Sequence, residues 1–282
     1  MTEIDYALFA DRLERARRGG TTARWELLRE FQEEWGYRPS GRPPAADDPD
    51  EEPSGGVDPA LPVPAALAEW WDLPYNSFVD RPRLYWTNPE WPPTVRPDPS
   101  GYGGSEGLPR KNAFVRPDED LRVCVFMAEN QYCNEWGYPA ARSALADPPV
   151  LVAAHDDDGE DGWQPQSHSV SEFFLHLAVH RLPASLGWTA CLNGLTGDTE
   201  ERLRTRLRPT GLLPWRELGS RTEHFGGPDV LVAHDTGWGD WELTAYGRSP
   251  RALERLAETL GVSWTEGVCE PEESSGLFPE RP

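Results

Sequence analysis

Val123-Cys-Val-Phe-Met-Ala-Glu129-Asn130-Gln131-Tyr-Cys-Asn-Glu-Trp136-Gly137 opens with six apolar or small residues, rich in Val and Phe, that suit a strand covered on both faces. A Glu-Asn-Gln corner follows at once. The second run, Tyr132 to Trp136, again suits a strand and is closed by Gly137. The stretch predicts a hairpin whose corner carries a carboxylate and two amides. Two readings of that corner stand side by side. Glu129, Asn130 and Gln131 hold a partner through their hydrogen-bonding groups, or they satisfy a tight turn through local backbone bonds.

Outward from this hairpin the same logic finds its neighbours. Val150-Leu-Val-Ala-Ala154 reads as a strand. Asp229-Val-Leu-Val-Ala-His-Asp235 and Trp241-Glu-Leu-Thr-Ala-Tyr246 bracket a Gly-containing loop and read as a second hairpin. The expectation is one sheet holding both hairpins and strand 150–154, covered by helices 64–72, 170–181 and 250–260. Ser169-Val-Ser-Glu172 is a capping box for the second of these helices. Ser249-Pro250 starts the third and Gly261 ends it, with Leu253, Leu256 and Leu260 as its stripe. Near the start of the chain, Ile4 to Arg17 reads as one helix, broken at Gly19-Gly20. Trp25, Leu28, Phe31 and Trp35 mark another. Asp198-Thr-Glu-Glu201 is read as the cap of a short basic helix.

Between these elements lie stretches poor in apolar groups. Residues 39–60, including Asp47-Asp-Pro-Asp-Glu-Glu52, read as a flexible acidic loop, because nothing there offsets the entropy of ordering. Residues 76–117 are Pro-rich without persistent periodicity, with Leu84-Tyr-Trp86 as a short strand. Residues 271–282 read as a disordered tail.

The 282 residues carry 48 acidic against 27 basic side chains, a net charge of −21. Such a surface repels nucleic acid and anionic lipid and favours basic partners. Thirteen Trp supply a large apolar area per residue, which offsets an apolar fraction of only 38%. The acidic opening, Met1-Thr-Glu-Ile-Asp-Tyr6, lacks a signal-peptide pattern, and no apolar run reaches membrane-spanning length. A cytoplasmic location with no membrane association is expected.

The motifs that carry chemistry fail on inspection. Cys124, Cys133, Cys191 and Cys269 form no C-x-x-C pair. Gly101-Tyr-Gly-Gly-Ser-Glu-Gly107 has Glu106 where a dinucleotide loop needs Gly. The acidic run Asp156, Asp157, Asp158, Glu160, Asp161 lacks the Gly and Glu positions of a calcium loop. His176 and His180 are spaced as zinc ligands but lie on an apolar helix face, where a core-edge role suits them better. No metal or organic cofactor is expected. An enzymatic alternative rests on the steps His155-Asp156 and His234-Asp235, each placing a base beside a carboxylate directly after a strand.

Four stretches taken in order resemble the SUKH superfamily, also called the Smi/Knr family. They are Leu61-Pro-Val-Pro-Ala-Ala-Leu-Ala-Glu-Trp-Trp71; Val125-Phe-Met-Ala-Glu-Asn-Gln131 with Trp136-Gly137; Asp147-Pro-Pro-Val150 leading to Ser171-Glu-Phe-Phe174; and Asp229-Val-Leu-Val with Leu253 to Trp264. They span roughly residues 20 to 266, and the Pro-rich segment 76–117 departs from the family pattern. The resemblance implies an α+β fold, with helices packed against a mixed or mostly antiparallel central sheet. The chain is read as a single SUKH-like domain over 1–270, with the N-terminal helices at 1–38 and the acidic loop 39–60 within it. The resemblance also implies a non-enzymatic immunity protein that binds and neutralises a cognate polymorphic toxin, such as a basic nuclease. A regulatory scaffold is the alternative that eukaryotic relatives suggest. On this reading the partner-binding residues are Glu129, Asn130, Gln131 and the anchor Trp136, rimmed by Asp156, Asp157, Asp158, Glu160 and Asp161.

Overall fold

The computed structural model describes residues 3–38, 56–73, 87–98, 105–129, 132–154 and 162–271. In chain order the helices are α1 (Phe9–Glu34), α2 (Ala65–Asp72), α3 (Val170–Leu186), α4 (Gly197–Arg206) and α5 (Pro250–Leu260). The first strands are β1 (Thr87–Arg96), β2 (Val123–Glu129), β3 (Glu135–Pro139), β4 (Val150–Ala154) and β5 (Gly162–Ser167). The later ones are β6 (Trp188–Leu192), β7 (Arg208–Pro209), β8 (Trp215–Glu217), β9 (Ser220–Gly227), β10 (Val230–Asp235), β11 (Leu243–Gly247) and β12 (Val268–Cys269). Every strand pairing among the described residues is antiparallel. The protein is α+β, with helices packed against antiparallel sheets.

The chain divides into two compact units. One is Pro39–Phe174 with Arg216–Gly219; the other is Met1–Arg38, Leu175–Trp215 and Ser220–Pro282. In the first, the meander unit, strands pair in sequence order β1-β2-β3-β4-β5. β2 is buried along its whole length, as its unbroken apolar run predicts. Val123 and Val125 pack with Leu151, Ala153 and Trp163. Phe126 meets Phe173 edge-on at 5.2 Å, Trp136 lies 6.0 Å from Phe173, and Trp70 of α2 stacks on Phe174 at 3.8 Å. The Ser169 half of the capping box forms: Ser169 Oγ accepts the Glu172 N–H at 3.2 Å. α3 runs on to Leu186 rather than ending near His180, although Pro183 lies inside it. Leu177, Ala178 and Leu182 keep the apolar stripe buried, and that burial outweighs the lost helix bond.

In the second, three-segment unit, the sheet order is β12-β6-β11-β10-β9-β7. Its core joins Val230, Val232, Leu243 and Ala245 to Leu253, Leu256 and Leu260 of α5. α5 has the ends its sequence announces. Ser249 Oγ accepts the Ala252 N–H, Pro250 takes the first turn, and Gly261 closes the helix at φ 68°. The cap of α4 is Thr196, whose hydroxyl accepts the Thr199 N–H, two residues before the expected Asp198. α1 is two helices that meet at Gly20, which sits at φ 80°. A straight helix would separate Phe9 from Phe31 by about 33 Å, yet their rings are 5.8 Å apart. The chain doubles back at Gly20, and Arg12 ties the two arms through Glu30 and Glu34.

Two expectations are corrected. The hairpins 123–139 and 230–247 do not share a sheet. β2–β3 is already paired on its outer edges by β1 and β4, and β10–β11 by β9 and β6, so neither hairpin has an open edge for the other. The Pro-rich segment contains a ten-residue strand, β1, through Pro89, Pro92 and Pro93. It is the edge of its sheet, and its register shifts between Pro89 and Thr94. Proline's missing N–H is tolerated at an edge and at a bulge. The expectations for most of the acidic loop (39–55), the strand 84–86 and the tail from 272 lie outside the described residues.

Candidate binding corner

The β2–β3 corner is closed by the backbone. Glu129 N–H donates to the Asn134 carbonyl at 2.8 Å and Tyr132 N–H to the Glu129 carbonyl at 2.9 Å. The Glu129 side chain is only 7% exposed, and its Oε2 accepts the Cys133 N–H at 3.3 Å. Its carboxylate therefore serves the turn, the second of the two readings of the corner. Trp136 is 0% exposed and packs against Phe173. The expected contact anchor is a core residue, because both faces of β3 are covered. Asn130, Gln131 and the rim Asp156, Asp157, Asp158, Glu160 and Asp161 lie outside the described residues, as does His155.

Among the described residues of the corner, Tyr132 is 50% exposed at φ 60°, a left-handed conformation that disfavours a bulky side chain. A second residue of the same kind belongs to the same unit. Leu218 is 54% exposed at φ 51°. Side chains of the unit hold two backbone amides of the Leu218 segment, Arg216–Gly219. Leu218 N–H donates to Asn134 Oδ1 at 2.6 Å, and Arg216 N–H donates to Gln166 Oε1 at 3.2 Å. The other end of the Asn134 amide donates to the Ala153 carbonyl at 2.9 Å. One buried amide thus holds a β4 carbonyl with one end and the Leu218 segment with the other. Backbone strain of about 1–3 kcal/mol per such residue persists only where surroundings enforce it. Asn134 and Gln166 are two such enforcing groups at Leu218.

The meander unit also holds a buried polar group. Arg96 Nε and Nη2 converge on Glu135 Oε1 at 2.8 and 2.6 Å, and Arg96 Nη1 reaches Thr94 Oγ1 at 2.9 Å. Glu135 Oε2 has no hydrogen-bond partner among the described residues. Asn88 Nδ2 donates to the Glu129 carbonyl at 3.2 Å, stitching β1 to the end of β2. Sequence reading missed Asn134, Leu218 and the Arg96–Glu135 pair. Nothing in local pattern links positions so far apart, and the positive φ of Leu218 leaves no compositional trace.

The remaining sequence candidates take structural places. His234 is buried in β10, while Asp235 Oδ1 accepts the N–H groups of Gly237 and Arg221 at 2.7 and 2.9 Å and organises a turn. His176 is fully buried and His180 half-buried. Both rings lie about 5 Å from Trp215, and His180 Nδ1 is 3.4 Å from His224 Nε2. Burial holds His180 well below its ordinary pKa and lowers His224 to about 4. Among the described residues no group of three or more His, Cys, Asp or Glu is arranged to hold a metal. None of their helices is long and apolar enough to cross a membrane. The meander unit also holds an apolar cavity of about 240 Å³ between Val57, Leu61, Pro92, Pro93 and Tyr138.

Comparison with protein-family models, with curated proteins and with solved structures finds no match to this chain.

Proposed function

We propose that this chain is a non-enzymatic immunity protein of the SUKH type, which binds a basic protein toxin and neutralises it as a stoichiometric cap. The observation that carries the proposal is the corner of the meander unit. Tyr132 and Leu218 are bulky, apolar and half exposed, and both sit in left-handed backbone. Exposing such groups has a solvation cost, and holding them at positive φ adds strain. Contact with a partner recovers the first cost, and a preset conformation lowers the entropy lost on docking. An exposed aromatic and an exposed aliphatic side chain, on two segments joined through Asn134, suit an interface. The net charge of −21 speeds encounter with a basic partner.

The geometry also supplies a clean probe. Glycine accepts positive φ without strain, so Tyr132→Gly and Leu218→Gly remove the contact groups while leaving the backbone at ease. The test uses a toxin encoded beside this gene, with growth protection and calorimetric binding measured together with melting. The expected result is a stable Tyr132→Gly, Leu218→Gly double variant that no longer protects. Full protection by that variant would remove the corner from the interface. Failure of the wild-type protein to bind the neighbouring toxin would remove the immunity reading itself and favour the scaffold alternative.

A further inference from the structure

The loop between β10 and β11 in the three-segment unit carries Trp238 at 66% exposure, the most exposed of the large apolar residues described. A tryptophan left in water at a hairpin tip is ordinary when the loop is loose. This loop is clasped at both feet. At one, Asp235 Oδ1 accepts from Gly237 and Arg221, and Thr236 N–H donates to the Arg221 carbonyl at 2.9 Å. At the other, Asn193 Oδ1 accepts the Glu242 N–H at 2.9 Å and its Nδ2 donates to the Asp240 carbonyl at 3.3 Å. Glu242 Oε2 adds a 2.6 Å bond from Leu195 N–H. Gly239 lies so close to the Asp235 carboxylate that any side chain there would collide with it. The Asp235 carboxylate thus packs against the backbone of Gly239, next to Trp238 in the chain, and exposed Asp240 and Glu242 follow.

From this arrangement we infer that the 235–242 loop is a second docking surface, one that seats an arginine or lysine side chain of a basic protein on the Trp238 ring. An aromatic face attracts a cation through its quadrupole, and Trp does so best of the aromatic side chains. Residues 235–242 carry three carboxylates, on Asp235, Asp240 and Glu242, and no basic side chain, so the charge of the loop favours the same cation. A second copy of this chain is a poor occupant, since two bodies each carrying −21 repel. The inference shares no residue with the Tyr132–Leu218 corner and stands or falls apart from it.

The experiment uses the full chain labelled with 5-fluorotryptophan, the Trp238 resonance being assigned by its absence in Trp238→Phe. The probe is a Gly/Ser-spaced arginine peptide, with a citrulline peptide of the same spacing as the uncharged control. The expected result is a shift of the Trp238 resonance by the arginine peptide alone. Trp238→Leu should weaken its binding about three- to tenfold. Trp238 is exposed, so these variants leave the core untouched, and an unchanged melting curve verifies that. Gly239→Ala, which displaces the Asp235 carboxylate but keeps the indole, should weaken binding as well. Arginine-peptide binding that leaves the Trp238 resonance unmoved would overturn the inference, since it would be diffuse attraction to an acidic surface. So would an equal response to the citrulline peptide, or a Trp238-dependent dimer in sedimentation without any peptide.

Discussion

Asn134 and Leu218, 84 residues apart in sequence, are joined by a 2.6 Å hydrogen bond from the Leu218 amide to the Asn134 side-chain oxygen. The other end of that amide holds Ala153. Asn134→Ala therefore removes the partner of the part-buried Leu218 N–H and one bond to the buried Ala153 carbonyl. Leaving buried polar groups unsatisfied costs about 1–3 kcal/mol each. The expected outcome is a loss of about 1–3 kcal/mol in urea unfolding, mostly from the buried Ala153 side. Amide exchange at Leu218 should accelerate more than exchange along β2. Unchanged exchange at Leu218 would show that the segment is held by other contacts.

The Arg96–Glu135 pair predicts an asymmetry between single and double replacement. Both side chains are almost wholly buried. Glu135→Gln leaves an uncompensated guanidinium in the interior, and breaking such a pair costs about 3–5 kcal/mol. Arg96→Met combined with Glu135→Leu removes both charges and should recover most of that loss. Additive losses in a double-mutant cycle would contradict this account.

Acid should weaken the three-segment unit through its histidines. His180 is held well below 6.5 by burial first, then by Arg181, His224 and His176, and burial alone lowers His224 to about 4. Between pH 6.5 and 4 the unfolded chain takes up protons that the folded unit refuses. Stability is therefore full above 6.5 and falls as pH drops through that window. His224 alone accounts for about 3 kcal/mol, at about 1.4 kcal/mol for each pH unit. His224→Gln should flatten the slope of stability against pH in this window. An unaltered slope would place the acid sensitivity elsewhere.

Thiol reactivity should separate the four cysteines. Cys133 and Cys269 are exposed, and Cys191 is half-buried with its thiol pKa raised by burial. Burial pushes the Cys124 thiol up to about 12, against a smaller opposing effect of its hydrogen bond with Tyr138. Alkylation at pH 8, followed by mass spectrometry, should modify Cys133 and Cys269 first and Cys191 slowly. Cys124 should react only after unfolding. Early modification of Cys124 would mean that β2 opens locally.

The elements legible in the sequence are those whose cause is local. Ser249, Pro250 and Gly261 bound α5 because caps act within a few residues. Ser169 and Glu172 announce α3, and Gly20 announces the reversal inside α1, for the same reason. Both hairpins were readable, since strand-forming runs flank turn residues at short range. Partition of those hairpins between two sheets was not, because it depends on which remote strands fill their hydrogen-bonding edges. β1 was hidden for a related reason: three prolines argue against a strand until the strand is known to be an edge. At the candidate corner, composition identified a polar turn beside an aromatic residue. Only the tertiary structure decided that Trp136 is enclosed and Glu129 serves the turn, while Tyr132 and Leu218 face solvent. Exposure is a property of what packs against a residue, and those partners come from distant parts of the chain.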